Sequence, residues 1–231
     1  MASKIKTAQE AIAGIKEGMS IMVGGFMAAG TPEILIDAIL EKGVKNLTII
    51  CNDGGLPKGW YNEYDTARGV GKLLEAGVID HIIASHVGLT PLVGKGVFDG
   101  TMKCTLIPQG SLAEKIRAGN FGLGGILTPT GLGTVAADGK MQIEVDGKMY
   151  VLEKPLRADY SFCRASICDE FGNFLCNKTT KNFNYLMAGA ADHNIIATEK
   201  LVKVGELEPD TLQHSGVLVD MIVEGEKPWQ I

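Results

Sequence analysis

Short apolar runs alternate with amphipathic segments from the N-terminus to about residue 119. Apolar runs of about four to eight residues are typical of buried strands, whereas apolar positions that recur every three or four residues are typical of helices. The predicted strands span residues 19–23, 47–51, 81–84 and 104–107, and the predicted helices begin near residues 8, 32, 68, 91 and 111. This alternation favours an α/β fold with a largely parallel sheet.

Local sequence signals predict where several helices begin. The Thr-Ala-Gln-Glu segment at residues 7–10 reads as a capping box, in which the Thr and Glu side chains pair with each other's backbone N–H groups. The Ser-Leu-Ala-Glu segment at residues 111–114 repeats this pattern and predicts a helix that ends at Gly119. At the Thr-Pro pairs 31–32 and 90–91 we expect Thr as the N-cap and Pro as the first helical residue.

Beyond Gly119 the pattern changes to short strands joined by turns. Asp146-Gly147 is a strong hairpin signal between two apolar runs. The remaining predictions are strands at 141–145, 148–152, 160–165, 173–176, 195–198 and 217–223, a turn at 169–172, and a helix at 182–190. We therefore expect one domain over residues 1–231, with a mixed sheet.

Composition narrows the class of protein. With 231 residues, 45% of them hydrophobic and 21% charged, the chain is long enough to bury a full core. Its net charge of −5 and the lack of a Lys/Arg-rich run with interleaved aromatics argue against nucleic-acid binding. The sequence shows neither a secretory signal pattern nor an apolar run of about 18 residues, so we expect a cytoplasmic protein with no membrane association.

Five cysteines occur, at positions 51, 104, 163, 168 and 176, without any CxxC pair. Buried free thiols are the favoured interpretation. Cys51 lies at a predicted strand end, but no sequence signal indicates that its thiol pKa is lowered, so a core thiol is favoured over a nucleophile. The four histidines are scattered without zinc-like spacing, and we expect no metal site.

Polar residues and glycines follow the predicted strands, where ligands bind in open parallel sheets. These segments are Gly24-Gly25-Phe26, Asn52-Asp53-Gly54, Ser85-His86, Gln109-Gly110 and Thr128-Pro129-Thr130. Uncharged donors beside glycine turns and helix N-termini suit a carboxylate, a thioester carbonyl or a phosphate.

Each segment also has a structural interpretation. Gly24-Gly25 fits a tight turn as well as a close approach to a ligand, and Asn52 fits a turn cap as well as a ligand contact. Gln109 has no evident structural need, whereas Ser85-His86 has no identifiable partner and favours a structural histidine. Residues 131–136 match the letters of a dinucleotide fingerprint, but the required strand–turn–helix context is missing.

Six motifs span nearly the whole chain. They are residues 18–32 (Gly-Met-Ser-Ile-Met-Val-Gly-Gly-Phe-Met-Ala-Ala-Gly-Thr-Pro), 51–54 (Cys-Asn-Asp-Gly), 84–88 (Ala-Ser-His-Val-Gly), 107–111 (Ile-Pro-Gln-Gly-Ser), 127–134 (Leu-Thr-Pro-Thr-Gly-Leu-Gly-Thr) and 181–184 (Lys-Asn-Phe-Asn). Together and in this order, they resemble the alpha half of family I coenzyme A transferases. Within that family the chain is most similar to enzymes that act on acetate, butyrate and acetoacetate.

The resemblance implies a three-layer α/β/α sandwich in which alpha and beta subunits of similar fold share one site, as an α2β2 assembly. It also implies ping-pong chemistry, with CoA as a substrate and no permanently bound cofactor. The family's nucleophilic glutamate lies in a Ser-Glu-Asn-Gly motif of the beta half, which is absent from these 231 residues. The resemblance therefore implies that this chain contributes no catalytic nucleophile and acts with a beta subunit on acyl-CoA and short-chain carboxylates.

The same resemblance assigns residues to the site. Asn52 and Gln109 match amides that face the reacting carboxylates. The segment associated with CoA corresponds to Gly24, Gly25, Phe26, Met27, Ala28, Ala29 and Gly30. Glu17 departs from the family pattern, but it lies upstream of the loop. We assign no role to residues 55–65, and the sequence does not specify which acids are exchanged.

Two other functions remain open at this point. One is a non-catalytic module that senses a sugar phosphate or an acyl-CoA, because related folds serve that purpose. The other is a sugar-phosphate isomerase, which needs an acid/base pair at the strand ends, where Asp53 is the one carboxylate so placed.

Overall fold

A seven-stranded sheet forms the centre of the protein in the computed structural model, which describes residues 3–59 and 65–227. Every neighbouring pair of its strands runs parallel. The largely parallel sheet expected from the sequence is confirmed. In spatial order the strands are β13 (Met221–Glu224), β11 (Ala191–Thr198), β8 (Ala158–Ala165), β1 (Ser20–Val23), β2 (Leu47–Cys51), β3 (Ile79–Ala84) and β4 (Lys103–Leu106).

Two buried clusters lie on opposite faces of this sheet. Successive side chains of a strand alternate between faces, so Ile21 and Val23 join one cluster while Met22 joins the other. The first face carries α1 (Ala8–Ala11), α2 (Glu33–Lys42), α3 (Val70–Glu75) and α4 (Pro91–Phe98), and the second carries α5 (Gln109–Asn120) and α6 (Asn184–Met187). This arrangement confirms the three-layer α/β/α sandwich.

Six further strands form two small sheets of their own rather than extending the main sheet, and their pairings are antiparallel except for one parallel pair. One consists of β5 (Ile126–Thr128), β6 (Gln142–Val145) and β7 (Lys148–Glu153), and the other of β9 (Ile167–Asp169), β10 (Phe174–Leu175) and β12 (Leu201–Val202). The hairpin predicted at Asp146-Gly147 is confirmed, and both residues have positive φ, at 49° and 76°. The predicted turn at 169–172 joins β9 to β10, because β8, which is buried except at Asp159, is already paired on both sides within the main sheet.

The predicted helix starts agree with the structure at two of four places. The capping box at residues 7–10 is present with both reciprocal hydrogen bonds, and Thr90 is the N-cap of α4 with Pro91 as its first residue. The box at residues 111–114 was wrong, because α5 begins at Gln109 with Pro108, rather than Ser111, as its N-cap. The helix predicted at Pro32 begins at Glu33, with Pro32 itself as the N-cap.

The last third of the chain contains less regular structure than its pattern predicts. The helix expected at 182–190 is reduced to α6, and the strand expected at 217–223 begins only at Met221. Single turns of tighter helix occur at Val135–Ala137, Lys178–Lys181, Pro209–Thr211 and Gly216–Leu218. Part of the 55–65 segment, to which the sequence assigned no role, lies outside the described residues. Among the described helices, none is both long enough and apolar enough to cross a membrane.

Candidate functional site

The carboxyl ends of four neighbouring strands bring most of the candidate residues together. Strands β1 to β4 are adjacent and parallel, so the segments that follow them leave the sheet at the same edge. Gly24, Asn52, Ser85 and Gln109 each lie within three residues of such a strand end. The convergence predicted from the sequence is therefore observed for these four segments.

Two amides and a hydroxyl form the centre of this edge. The Nε2 of Gln109 donates to the Oδ1 of Asn52 at 2.7 Å, and the Oγ of Ser85 donates to the same oxygen at 3.0 Å. Asn52 is only 2% exposed, whereas Gln109 is exposed as the first residue of α5. The two amides thus differ in position, since Gln109 meets solvent and Asn52 lies beneath it. This arrangement favours an orienting role for Asn52 over direct contact with a ligand.

Asp53 is occupied by hydrogen bonds from the protein. Its Oδ2 accepts from the backbone N of Met27 and from the Nδ2 of Asn52, both at 2.8 Å, and its Oδ1 accepts from the N of Gly55 at 2.8 Å. The residue is 5% exposed. A carboxylate held in this way is poorly placed to act as a base on a substrate, which argues against the isomerase interpretation.

The glycine loop, defined as residues 24–30, contains a tight turn with unusual backbone angles. Phe26 and Ala29 exchange two backbone hydrogen bonds at 3.0 and 2.9 Å. Between them, Met27 and Ala28 have φ angles of 47° and 64°, a left-handed conformation that is uncommon for residues other than glycine. Phe26 is 43% exposed at this turn. The turn therefore presents an apolar ring at the same edge as Gln109.

Two asparagines hold the second half of the glycine loop. The Nδ2 of Asn182 donates to the carbonyl of Ala29 at 2.9 Å, and the Nδ2 of Asn184 donates to the carbonyl of Gly30 at 2.8 Å. The Oδ1 of Asn184 accepts from the backbone N of Arg164 on β8 at 2.8 Å. Through these two hydrogen bonds the fully buried Asn184 links the loop to β8, near the centre of the main sheet.

This packing explains why glycine stands at both ends of the loop. A Cβ added to Gly24 would collide with the side-chain oxygen of Asn184, and one added to Gly30 would lie 2.9 Å from its nitrogen. A Cβ at Gly25 would collide with the hydroxyl of Thr31, and Gly25 also has a φ of 120°. The structure favours the tight-turn interpretation of Gly24-Gly25, and it leaves Phe26 as the exposed residue of the loop, with Met27 and Ala29 partly exposed.

The cysteine thiols are not placed for nucleophilic chemistry. Burial, with a smaller contribution from Asp53, raises the pKa of Cys51 well above its ordinary value of 9.0. Burial likewise raises the pKa values of Cys168 and Cys176 to about 12. All five cysteines are free, and the described residues contain no group of side chains that could hold a metal ion.

Three features of the site were not evident from sequence. Ser85 is bonded to Asn52, Asn184 holds the loop, and Arg164 donates to the carbonyl of Thr31 at 3.2 Å while it pairs with Glu199 at 2.7 Å. Each of these hydrogen bonds spans more than 30 residues, so it depends on the order of strands in the sheet rather than on local spacing. His86 is exposed and its ring lies against Gly88, rather than packed inside the fold.

The residues of the rejected dinucleotide fingerprint have another structure. Residues 131–136 follow the short antiparallel strand β5 and lead into a single turn of tight helix that begins at Val135. No α-helix lies between β5 and β6. The geometry for a bound pyrophosphate at a helix N-terminus is therefore missing here.

Sequence comparison places the chain among coenzyme A transferases. The family model for coenzyme A transferase matches residues 5–225. The chain is 44% identical to the acetate CoA-transferase subunit alpha of Escherichia coli K12, over 98% of this chain and 99% of that relative. It is also 44% identical to the acetoacetyl-CoA:acetate/butyrate CoA transferase alpha subunit of Clostridium acetobutylicum, over 97% of this chain and 99% of the relative.

A solved structure shares the fold. An acyl-CoA transferase from E. coli O157:H7, in a thioester complex with CoA, has a TM-score of 0.81 to this chain at 23% identity. The match covers 99% of this chain and 48% of that protein, so this chain spans about half the length of that neighbour. At this level of identity the likeness supports the α/β architecture alone.

Proposed function

Because the chain belongs to the coenzyme A transferase family, we propose that it is the alpha subunit of a heteromeric enzyme that moves CoA between a short-chain acyl-CoA and a free carboxylic acid. The acids are acetate, butyrate or acetoacetate. The observation that supports this best is the exposed amide of Gln109, held by the buried Asn52 at the carboxyl edge of the sheet.

Gln109 suits the chemistry of carboxylate and acyl groups. A neutral amide can donate to a carboxylate or to the oxyanion that develops when an acyl group is attacked, without adding a net charge. Since one N–H of Gln109 is directed at Asn52, the second N–H and the carbonyl oxygen are left for the reacting groups. Preorganised donors of this kind lose little free energy to reorientation during the reaction.

In this proposal the nucleophile is a glutamate of the partner subunit. The glutamate carboxylate attacks the acyl-CoA carbonyl and forms a mixed anhydride as the CoA thiolate leaves. The thiolate then attacks the glutamyl carbonyl, which gives a glutamyl-CoA thioester and releases the first acid. An acceptor carboxylate attacks that thioester, which releases the CoA thiolate and forms a second mixed anhydride. The thiolate then attacks the acyl carbonyl of the acceptor, which gives the new acyl-CoA and restores the glutamate. Each covalent step divides a difficult exchange into easier ones.

Two features support a glutamate from outside these residues. The sequence contains no Ser-Glu-Asn-Gly motif, and the carboxylate nearest the amide pair, Asp53, already accepts three hydrogen bonds. Relatives matched over nearly their full length are named alpha subunits. We place CoA along the exposed turn at Phe26 and Met27, and we propose an α2β2 assembly.

The decisive experiment compares the purified chain with its complex. Transfer of CoA from butyryl-CoA to acetate is expected only when the chain is mixed with a beta subunit that carries the glutamate motif. Activity of the chain alone would contradict the proposal, and binding of acyl-CoA by the complex without turnover would favour a sensing module. Acetate, butyrate, acetoacetate and dicarboxylic acids as acceptors would then identify the substrate class.

A further inference from the structure

We infer that Asp53 is a positioning residue that orients the Asn52 amide to accept a hydrogen bond from Gln109 and anchors the glycine loop, both through its Oδ2. This inference rests on the proposed function of Gln109 and of the loop. It gives Asp53 a role distinct from acid/base chemistry.

The argument begins with the chemistry of the carboxylate. An ionised carboxylate only accepts hydrogen bonds, whereas a side-chain amide can present either its oxygen or its nitrogen. Asn52 must therefore direct its Nδ2 at Asp53, and this nitrogen lies 2.8 Å from the Oδ2 of Asp53. The Oδ1 of Asn52 is then directed toward Ser85 and Gln109. Asp53 thus determines which end of the first amide faces the second.

Ser85 and Gln109 complete the chain of bonds. The Ser85 hydroxyl donates to the Asn52 side-chain oxygen at 3.0 Å and to its backbone carbonyl at 2.8 Å. Gln109 must present its nitrogen inward, at 2.7 Å. Without the acceptor-only group at position 53, both amides could turn by 180° with similar geometry. The exposed side of Gln109 would then present a different set of donors and acceptors to a ligand.

The same oxygen of Asp53 also accepts from the backbone N of Met27 at 2.8 Å. Met27 is in the left-handed conformation, which is costly for a residue with a side chain, so its hydrogen bond to Asp53 supports the turn. The glycine loop follows β1, whereas Asn52 and Gln109 follow β2 and β4. The Oδ2 of Asp53 accepts hydrogen bonds from both the loop and the Asn52 amide, so we expect a displacement of the loop to alter the position of the amide pair.

Asp53→Asn tests the inference, with Asp159→Asn as its matched control. Asp159 is a partly buried carboxylate that also accepts hydrogen bonds from the protein, from the N and Oγ of Ser20 at 2.7 Å each, but it lies at the opposite edge of the sheet. In the complex with the beta subunit, Asp53→Asn should lower kcat by about tenfold and raise the KM for acyl-CoA, since both the amide donor and the loop are displaced. Asp159→Asn should leave both parameters within about twofold.

A second measurement does not depend on activity. NMR of the isolated chain follows three signals: the side-chain amides of Asn52 and Gln109 and the backbone amide of Met27. Asp53→Asn should shift all three, and Asp159→Asn should shift none. In the unmodified chain, a nuclear Overhauser effect is expected between the Asn52 side-chain amide protons and the Met27 amide proton, because both groups donate to one oxygen.

The outcomes separate this inference from the proposed function. Unchanged Asn52 and Gln109 signals in Asp53→Asn, or equal shifts in Asp159→Asn, would overturn the positioning role. If Asp53→Asn fails to fold, the Overhauser effects in the unmodified chain still test the inference. Asn52 amide protons that lie close to Gln109 and far from Met27 would show that the Asn52 amide has the opposite orientation. A lack of CoA transfer by the unmodified complex would overturn the proposed function and leave the NMR result intact.

Discussion

The side-chain nitrogen of Gln109 lies 2.7 Å from the side-chain oxygen of Asn52, although 57 residues separate them in sequence. Gln109 is exposed and Asn52 is buried, so the hydrogen bond links a residue at the surface of the site to one beneath it. The two residues therefore should not respond alike to substitution. Loss of Gln109 removes a donor, whereas loss of Asn52 removes the support for that donor.

Gln109→Ala should lower kcat by about two orders of magnitude, the usual effect of losing one preorganised oxyanion donor. Because the side chain is exposed, the melting temperature should change little. Steady-state kinetics of the assembled complex provide the measurement, with Gln142→Ala on the exposed strand β6 as control. Near-normal turnover in Gln109→Ala would remove this residue from the site.

Asn52→Ala should reduce both stability and activity. It removes one of the three donors to the buried Asp53 and the side-chain oxygen that accepts from Ser85 and Gln109, and the loss of such a partner typically costs about 1–3 kcal/mol. Because Asn52 acts through Gln109, the double variant should be scarcely slower than Gln109→Ala alone. Denaturant unfolding and a double-mutant cycle in kcat test this expectation. Strictly additive effects on kcat would indicate that Asn52 contacts the substrate directly.

Gly25→Ala should destabilise the chain by more than about 1 kcal/mol, because alanine is strained at positive φ. The added Cβ would also meet Thr31, so the loss should be present without any ligand. Gly94→Ala is the matched control: this glycine lies within α4, has open space for a Cβ, and should gain stability of about 0.5–1 kcal/mol. Denaturant midpoints measure both. An unchanged midpoint in Gly25→Ala, combined with lost CoA binding, would instead favour close approach of the ligand.

Glu153 should make the stability of the chain depend on pH. It is 2% exposed and lies 2.5 Å from the Lys140 ammonium and 2.9 Å from that of Lys115. Burial opposes its ionisation, but the two ammonium groups outweigh burial and hold the pKa of Glu153 below its ordinary value of 4.5. The folded state therefore binds the proton less readily than the unfolded state. The resulting stabilisation is complete above pH 4.5 and is lost as pH falls through the lower folded value.

Glu153→Gln should consequently destabilise the chain at neutral pH by about 3 kcal/mol, since one partner of a buried ion pair is removed. The difference from the unmodified chain should shrink as the solution is acidified. Urea unfolding at several pH values measures this, with Glu144→Gln as an exposed control on β6. A constant difference at all pH values would exclude Glu153 as the titrating group.

No residue of this chain should become acylated during turnover. The complex is incubated with acyl-CoA, the enzyme thioester is trapped with borohydride or hydroxylamine, and the modified peptide is located by mass spectrometry. The label is expected on the glutamate of the beta subunit. A label on Asp53, or on any thiol of this chain, would refute the proposed division of labour.

Sequence signals predicted the features that depend on neighbouring residues. The capping box at 7–10 and the hairpin at Asp146-Gly147 are local, and both formed as expected. The box at 111–114 failed because α5 begins at Gln109, with Pro108 in the N-cap position, so that Ser111 lies inside the helix. The hydroxyl of Ser111 is left buried without a hydrogen-bond partner.

Placement of polar residues at strand ends was also predictable, because parallel strands share one carboxyl edge. Which groups pair at that edge was not. The bonds from Asn184 to Gly30 and from Ser85 to Asn52 arise only once the strand order and register are set. The glycines at 24 and 25 were ambiguous for the same reason, since their neighbours Asn184 and Thr31 are identified only in three dimensions.

The packing of the Asn184 side chain against Gly24 and Gly30 has a consequence for the folding of the chain during its synthesis. The bond from Asn184 to the Gly30 carbonyl spans 154 residues, so the loop near the N-terminus lacks this support until most of the chain has left the ribosome. The seven-stranded sheet is subject to the same delay, because β8 lies beside β1 and β11 lies beside β8, and both follow β1 by more than a hundred residues. A nascent chain arrested before residue 184 should therefore have an unlocked loop, one that becomes fixed only when translation is nearly complete.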